Sequence, residues 1–296
     1  MRTDSEITEL VGGILRLRAA NPGPMTGTGT NTYLLMAATG AVVIDPGPDL
    51  VAHLDAIITH LGKTPLRAIL ITHAHLDHTA LTPALVAATG ARVLAFGGAT
   101  AGRSAQMKAM ADQGMAGGGE GADAGFAPDD LLADGQTLDV AGMVISVIHT
   151  PGHMGGHLCF GYGDTLFSGD HVMGWSTSLI SPPDGDMADY MASLARLSAD
   201  HWSRFLPGHG NAVSDTAARM AALIAHRRAR EAAILAAVRA QPTSATALAA
   251  LIYTDTAPAL LPAAARNILA HLIDLHDRNL ISTQDPITPT TAFTAI

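Results

Sequence analysis

The sequence of 296 residues predicts an α/β fold with a small helical module at its C-terminal end. Two observations lead there. As far as about residue 210, short apolar runs bounded by turn residues alternate with stretches of helical period, a pattern that builds sheets covered by helices. From about Ser214 the composition changes to alanine-rich helical sequence that closes on a short apolar run. The division falls near residue 212, giving domains 1–211 and 212–296.

The strand candidates are NTYLLMA, GAVVIDPG, LRAILITH, ARVLAFGG, GMVISVIHTPG and DTLFSGD. Their length and β-branched content suit buried strands. Between the second and third lies DLVAHLDAIITHLGK, with apolar residues near a 3.6 period, Asp49 as its cap and Gly62 near its end. LTPALVAATG reads the same way. Residues 100–128 break the rhythm, starting as a helix and dissolving into a glycine-rich, mobile loop. Met107, Met110 and Met115 in this stretch suit core packing better than a substrate-binding stripe, because methionine fills irregular gaps.

The C-terminal part reads as a long helix, SDTAARMAALIAHRRAREAAILAAVRA, then TSATALAALIY after Pro242, then PAAARNILAHLIDLHDRNLIS entering a short strand. Three helices closing on a strand outline a winged helix. Such modules often bind nucleic acid, and Arg227, Arg228 and Arg230 are clustered. The third helix, however, offers only Arg266 and Arg278, offset by Asp274 and Asp277. Docking or dimerisation is therefore the favoured role, and a homodimer is open.

Composition narrows the function classes. No apolar stretch reaches the ~18 residues needed to span a bilayer, and MRTDSEITEL lacks the basic-then-apolar layout of a signal peptide. Cys159 is the single cysteine, so no internal disulfide forms and a reducing, cytoplasmic setting is expected. The net charge of −9 argues against a polyanion as main partner. Residues 1–210 carry 10 Lys/Arg against 20 Asp/Glu, whereas residues 211–296 carry 7 against 6, so the acidity belongs to the first part.

That part also holds the most unusual stretch, ILITHAHLDHTA, from Ile69 to Ala80. Its His73, His75, Asp77 and His78 follow an apolar strand. Residues 73 and 75 alternate on an extended chain and can point to one side; Asp77 and His78, at the following turn, can face a second centre. Further on, HTPGHMGGH places His153, LFSGDHVMG places Asp170 and FLPGHGNA places His209, each in a glycine-containing turn after an apolar run. Five histidines and two carboxylates are enough for two adjacent ions, and a carboxylate such as Asp170 bridges metals more readily than a histidine. Histidine and carboxylate ligands favour zinc, with iron or manganese as alternatives.

The order Thr-His-x-His-x-Asp-His, His, Gly-Asp, Pro-Gly-His resembles the metallo-β-lactamase-fold hydrolase superfamily over about residues 10–210. The resemblance implies a four-layer αβ/βα sandwich. It further implies one ion held by His73, His75 and His153, a second by Asp77, His78 and His209, and Asp170 bridging them. NPGPMTGTGTNTYLL, HRRARE and the winged-helix pattern resemble the subgroup containing β-lactamase-like protein 2. That subgroup includes an endoribonuclease beside many members of unassigned substrate.

Two such ions imply hydrolysis through a metal-bound hydroxide, with Asp77 orienting it and no serine or cysteine nucleophile. The favoured substrate is a small carbonyl compound: an ester, a thioester or a lactone. Single-stranded RNA is the alternative, opposed by the scarcity of basic residues in the first 210. Asp45, in VVIDPG, suits a supporting role behind the ligands. Trp175 and Tyr190, in a Gly/Ser/Pro-rich loop after Asp170, together with His157 and His171, are candidate substrate contacts.

Overall fold

A computed structural model describes residues 6–10, 12–117 and 121–296. In chain order it contains β1 (Glu6–Glu9), β2 (Ile14–Arg18), β3 (Asn31–Ala37), β4 (Gly40–Ile44), α1 (Val51–Leu61), β5 (Leu66–Leu70), α2 (Leu76–Thr79), α3 (Thr82–Thr89), β6 (Arg92–Ala95), α4 (Ala105–Asp112) and β7 (Asp130–Leu131). Then follow β8 (Thr137–Val140), β9 (Met143–His149), β10 (Leu158–Tyr162), β11 (Thr165–Gly169), α5 (Met187–Ser198) and β12 (Arg204–Pro207). The C-terminal part adds α6 (Thr216–Ala240), α7 (Ala245–Ile252), α8 (Leu261–Asp277), β13 (Ile281–Ser282) and β14 (Thr294–Ala295).

Strands β1 to β7 form one sheet in sequential order, antiparallel up to β4 and parallel from β4 onward. The second sheet has the order β12-β11-β10-β9-β8, with only β11 and β12 parallel. Alternate residues of each strand serve different layers, as the pleat requires. Tyr33, Leu35, Val42 and Ile44 from the first sheet meet Ile145, Val147, Phe160 and Phe167 from the second in a core between the sheets. Their neighbours Leu34 and Val43 face outward onto Ile57 of α1 and Leu85 of α3. On the other side Cys159, Leu166 and Phe205 face Tyr190 and Leu194 of α5 and Leu223 of α6. The layers are helix, sheet, sheet, helix. Burial on both faces is why the strands read as continuous apolar runs rather than alternating ones.

Helices α6, α7 and α8 enclose a separate core, closed by the antiparallel pair β13 and β14. Met107 of α4 is buried within it, and Met110 and Met115 pack against it, so these methionines serve packing. Gly118, Gly119 and Glu120, the centre of the expected mobile loop, lie outside the described residues. Two expectations need correction. Asp49 does not cap α1, because Leu50 holds the cap position and its carbonyl accepts from His53 and Leu54. Tyr190 is not in a loop: Asp186 caps α5 by accepting from the amides of Ala188 and Asp189, and Met187, Tyr190, Leu194 and Leu197 form its buried face. Among the described residues no helix is long and apolar enough to cross a membrane.

Candidate metal centre

The C-terminal ends of β5, β9, β11 and β12 reach one edge of the double sheet. His73 and His75 follow β5, His153 lies between β9 and β10, Asp170 directly follows β11, and His209 follows β12. Asp77 and His78 sit on α2, a single turn that begins directly after His75. All seven side chains predicted from the sequence converge. Ligand-type atoms of His73, His75 and His153 lie within 4.8 Å of one another, as do those of Asp77, His78 and His209, and those of His73, His78 and Asp170.

The first trio is tighter than that limit. His73 Nε2 lies 3.0 Å and His153 Nε2 3.1 Å from His75 Nδ1. Tetrahedral ligands at a Zn–N distance of 2.0–2.1 Å stand about 3.3 Å apart, so the three nitrogens are spaced as the corners of a cation site. In the second group His209 Nε2 lies 3.1 Å from Asp77 Oδ2 and 3.3 Å from Asp170 Oδ2, while His78 Nε2 lies 3.6 Å from Asp170 Oδ1. Asp170 thus stands between the two groups.

The outward nitrogen of several rings is tied down. His78 Nδ1–H donates to Asp45 Oδ2 at 2.9 Å, His153 Nδ1–H to the Leu179 carbonyl at 2.7 Å, and His209 Nδ1–H to the Gly29 carbonyl at 3.3 Å. Each bond fixes the ring's orientation and turns Nε2 toward the cluster, the arrangement that orients metal-binding imidazoles. Asp45 is itself held by the Thr72 amide and hydroxyl at 2.8 and 2.7 Å. Asn31 binds the carbonyls of Pro207 and Gly210, pinning the turn that carries His209.

A cation fits this arrangement. His78 Nε2 and Asp170 Oδ1 are buried without a hydrogen-bond partner among the described residues, a costly state for polar atoms unless something charged sits between them. The backbone also leaves room for the set: a Cβ on Gly208 would come within 2.4 Å of Asp170 Oδ1 and 2.6 Å of His78 Cε1.

Electrostatics divides the histidines. Burial and the neighbouring rings hold His73 well below the ordinary imidazole value, and burial with His153 beside it lowers His75 to about 3. For His78 and His209 burial is outweighed by carboxylates. Asp77, Asp170 and Asp45 hold His78 well above its ordinary value, and Asp170 and Asp77 raise His209 to about 9. Burial would raise Asp77 and Asp170 in turn, but His78 and His209 hold both below the carboxylate range. His73 and His75 are therefore neutral donors, and the half with carboxylates balances its charge internally.

Over the cluster opens a cavity of about 280 Å³, floored by His75, Asp77, His153, Asp170 and His209. Met25, Leu76 and Trp175 line it and are 44%, 48% and 46% exposed, forming an apolar rim. Trp175 packs closely on Gly210, where a Cβ would come within 2.5 Å of the indole. The other candidate substrate contacts lie elsewhere. His157 is buried behind the cluster, accepting from the Asp170 amide at 3.2 Å while Thr150 Oγ1 lies 2.9 Å from its Nδ1. His171 is buried against the Tyr190 ring, and the Tyr190 hydroxyl donates to the His171 carbonyl. All three face away from the cavity because strand β10, the turn after β11 and α5 direct them into the protein interior. Cys159 is buried, and burial pushes its thiol up to about 12, which removes it as a nucleophile.

Comparison with known proteins agrees with this geometry. Residues 25–209 match the model of the metallo-β-lactamase superfamily, and residues 244–286 match the β-lactamase-associated winged helix domain. The chain belongs to the metallo-β-lactamase superfamily. It is 31% identical to the β-lactamase-like protein 2 homolog of Drosophila melanogaster over 285 residues, covering 91% of this chain and 89% of that protein. It is 30% identical over 238 residues to an atrochrysone carboxyl ACP thioesterase of Aspergillus chevalieri, covering 79% of this chain and 68% of that one. A β-lactamase domain protein from Burkholderia ambifaria superposes with a TM-score of 0.80 at 22% identity, covering 98% and 94%. A metallo-β-lactamase family protein from Thermus thermophilus does so at 0.76 and 24%, covering 96% and 99%. These two likenesses establish the fold: a metallo-β-lactamase sandwich with an appended winged helix. The protein is a hydrolase of this fold with side chains arranged for divalent metal.

Proposed function

We propose that the protein is a dinuclear hydrolase of a small ester, thioester or lactone. Zinc is the favoured metal. His73, His75 and His153 would hold one ion, Asp77, His78 and His209 the other, with Asp170 shared between them. Ions held there would lower the pKa of a water and polarise a carbonyl oxygen. Asp77, at the cavity floor, accepts at Oδ2 from the Thr30 hydroxyl at 3.0 Å, which holds the carboxylate where it would align the attacking water. Trp175, Met25 and Leu76 bind the apolar remainder of the substrate and exclude bulk water.

The observation that carries this reading is the contrast between floor and walls. The floor is made of convergent ligand-type side chains, Asp170 Oδ1 among them buried without a partner, whereas the wall is mostly apolar and, among the described residues, contains no lysine or arginine. A polynucleotide draws much of its affinity from such cations. The relative named as an acyl carrier protein thioesterase supports the carbonyl class. Metal content tests the centre directly. Two equivalents of zinc should remain with the protein after gel filtration, and Asp170→Ala should retain one or none. Two equivalents retained by Asp170→Ala would remove the bridging role.

A further inference from the structure

The three arginines of HRRARE do not form one surface. Arg228 is exposed and Arg230 stacks 4.3 Å from the Tyr253 ring centre, but Arg227 is 1% exposed. A guanidinium that deeply buried is costly without compensation, and among the described residues no carboxylate lies within salt-bridge distance of it. Its partners are the Ser178 carbonyl, Asn267 Oδ1 at 3.1 Å and the face of Tyr190, 5.0 Å from the ring centre. Asn267, on α8, passes the contact on: the same Oδ1 accepts from the Ile180 amide at 3.1 Å. One helical stretch earlier, Arg219 donates to the Met173 carbonyl at 2.6 Å and to the Ser176 carbonyl. Three side chains of α6 and α8 therefore grip one irregular segment, residues 173–180, at four backbone groups.

The other side of that segment belongs to the metal centre. The Leu179 carbonyl accepts from His153 Nδ1–H, the Ser178 hydroxyl donates to the Asp170 carbonyl at 2.6 Å, and Trp175 stands at the cavity rim. Backbone groups held from behind thus alternate with groups that orient two of the proposed ligands in front.

We propose that Arg219, Arg227 and Asn267 are positioning residues of the metal centre: the C-terminal module clamps residues 173–180 and so fixes His153, Asp170 and Trp175. Arg219 and Arg227 then serve this protein's own active site rather than a nucleic acid. The proposal rests on the reading of the histidine–aspartate cluster as a metal site, and its test has one arm that does not.

The variants are Arg227→Met, Arg219→Met and Arg227→Lys, made in the full chain with Trp202→Phe so that Trp175 is the single tryptophan. Leu248→Ala, buried in the C-terminal core on α7, controls for destabilisation alone. Zinc affinity is measured by competition with a chromophoric chelator, and the mobility of Trp175 by acrylamide quenching of the metal-free protein. Both Met variants should bind zinc about tenfold more weakly, the lower end of the effect of losing partners behind metal ligands. Both should also raise the quenching constant of Trp175 at least twofold, with partial recovery in Arg227→Lys, while Leu248→Ala changes neither. Parental affinity and quenching in folded Arg219→Met and Arg227→Met would overturn the proposal, as would an equal effect in Leu248→Ala. If the parent itself binds no zinc, the metal reading fails and the quenching arm still decides whether the clamp exists. Should Arg227→Met not fold, Arg219→Met, altered at a half-buried position, carries the same comparison.

Discussion

Asp45 Oδ2 lies 2.9 Å from His78 Nδ1, and Asp45 holds this position with a backbone φ of +51°. A left-handed backbone is uncommon for a residue other than glycine, though aspartate and asparagine tolerate it. The carboxylate is thereby turned between strand β4 and the loop after β5, where it meets Thr72 on one side and His78 on the other. It fixes the orientation of the His78 ring, with Nε2 toward the cluster. Replacing Asp45 by Asn keeps shape and backbone preference but puts an amide donor where three donors already converge. Zinc bound by the His78 group should weaken 10- to 100-fold with the fold retained, read by chelator competition beside a circular dichroism spectrum.

Trp175 gives a second expectation. Its indole covers part of the cavity mouth, and removing roughly 50 Å² of apolar contact costs about 1.3 kcal/mol. Trp175→Ala should therefore raise KM about tenfold for an acyl thioester with a long apolar chain and much less for an acetyl thioester. The kcat of both should stay near the parental value, since the lost contact is made equally in ground and transition states. Equal KM changes for the two chains would remove the rim from substrate binding.

Acid sensitivity follows from histidines buried as neutral rings. Burial lowers His53 to about 4, and burial together with Arg227 and Arg230 lowers His271 to about 3. In the unfolded chain both titrate near 6.5, so below that pH the unfolded state binds more protons than the native one. Stability is fully present above about 6.5 and is lost as the pH falls through 4 for His53 and 3 for His271. Each contributes a slope of about 1.4 kcal/mol per pH unit within its window. Urea unfolding of His271→Phe between pH 6.5 and 4.5 should show a shallower loss than the parent, and an identical slope would contradict the assignment.

The seven proposed ligands were legible in the sequence because each stands in a turn, or in the single helical turn of α2, shortly after an apolar strand, where a polar cluster has no packing reason to exist. The sheets were legible for the same reason, as continuous runs buried on both faces. Asp45 was expected as a supporting residue because it ends a strand that the family resemblance sets near the metal site. What escaped was of two kinds. Partners that act through the backbone, such as the carbonyls of Leu179 and Gly29, have no side-chain signature at all. Arg227 was visible only as charge, and a charge cluster on a helix reads as a solvated face until burial shows one member turned inward. Tyr190 was misplaced because the Gly/Ser/Pro-rich stretch hid the start of α5, whose one clear signal was Asp186 ahead of an amphipathic run; His157 and His171 were misplaced because nearness in sequence to a ligand does not decide which way a side chain faces.

The central claim is that the cluster hydrolyses a small carbonyl substrate. Its most direct test is turnover by zinc-loaded protein on a panel of thioesters, esters and lactones beside a single-stranded RNA, with Asp170→Ala as the blank. The account predicts cleavage of at least one carbonyl compound, lost by about a thousandfold or more in the variant, with RNA intact. RNA cleavage that disappears in Asp170→Ala, with every carbonyl compound inert, would contradict it.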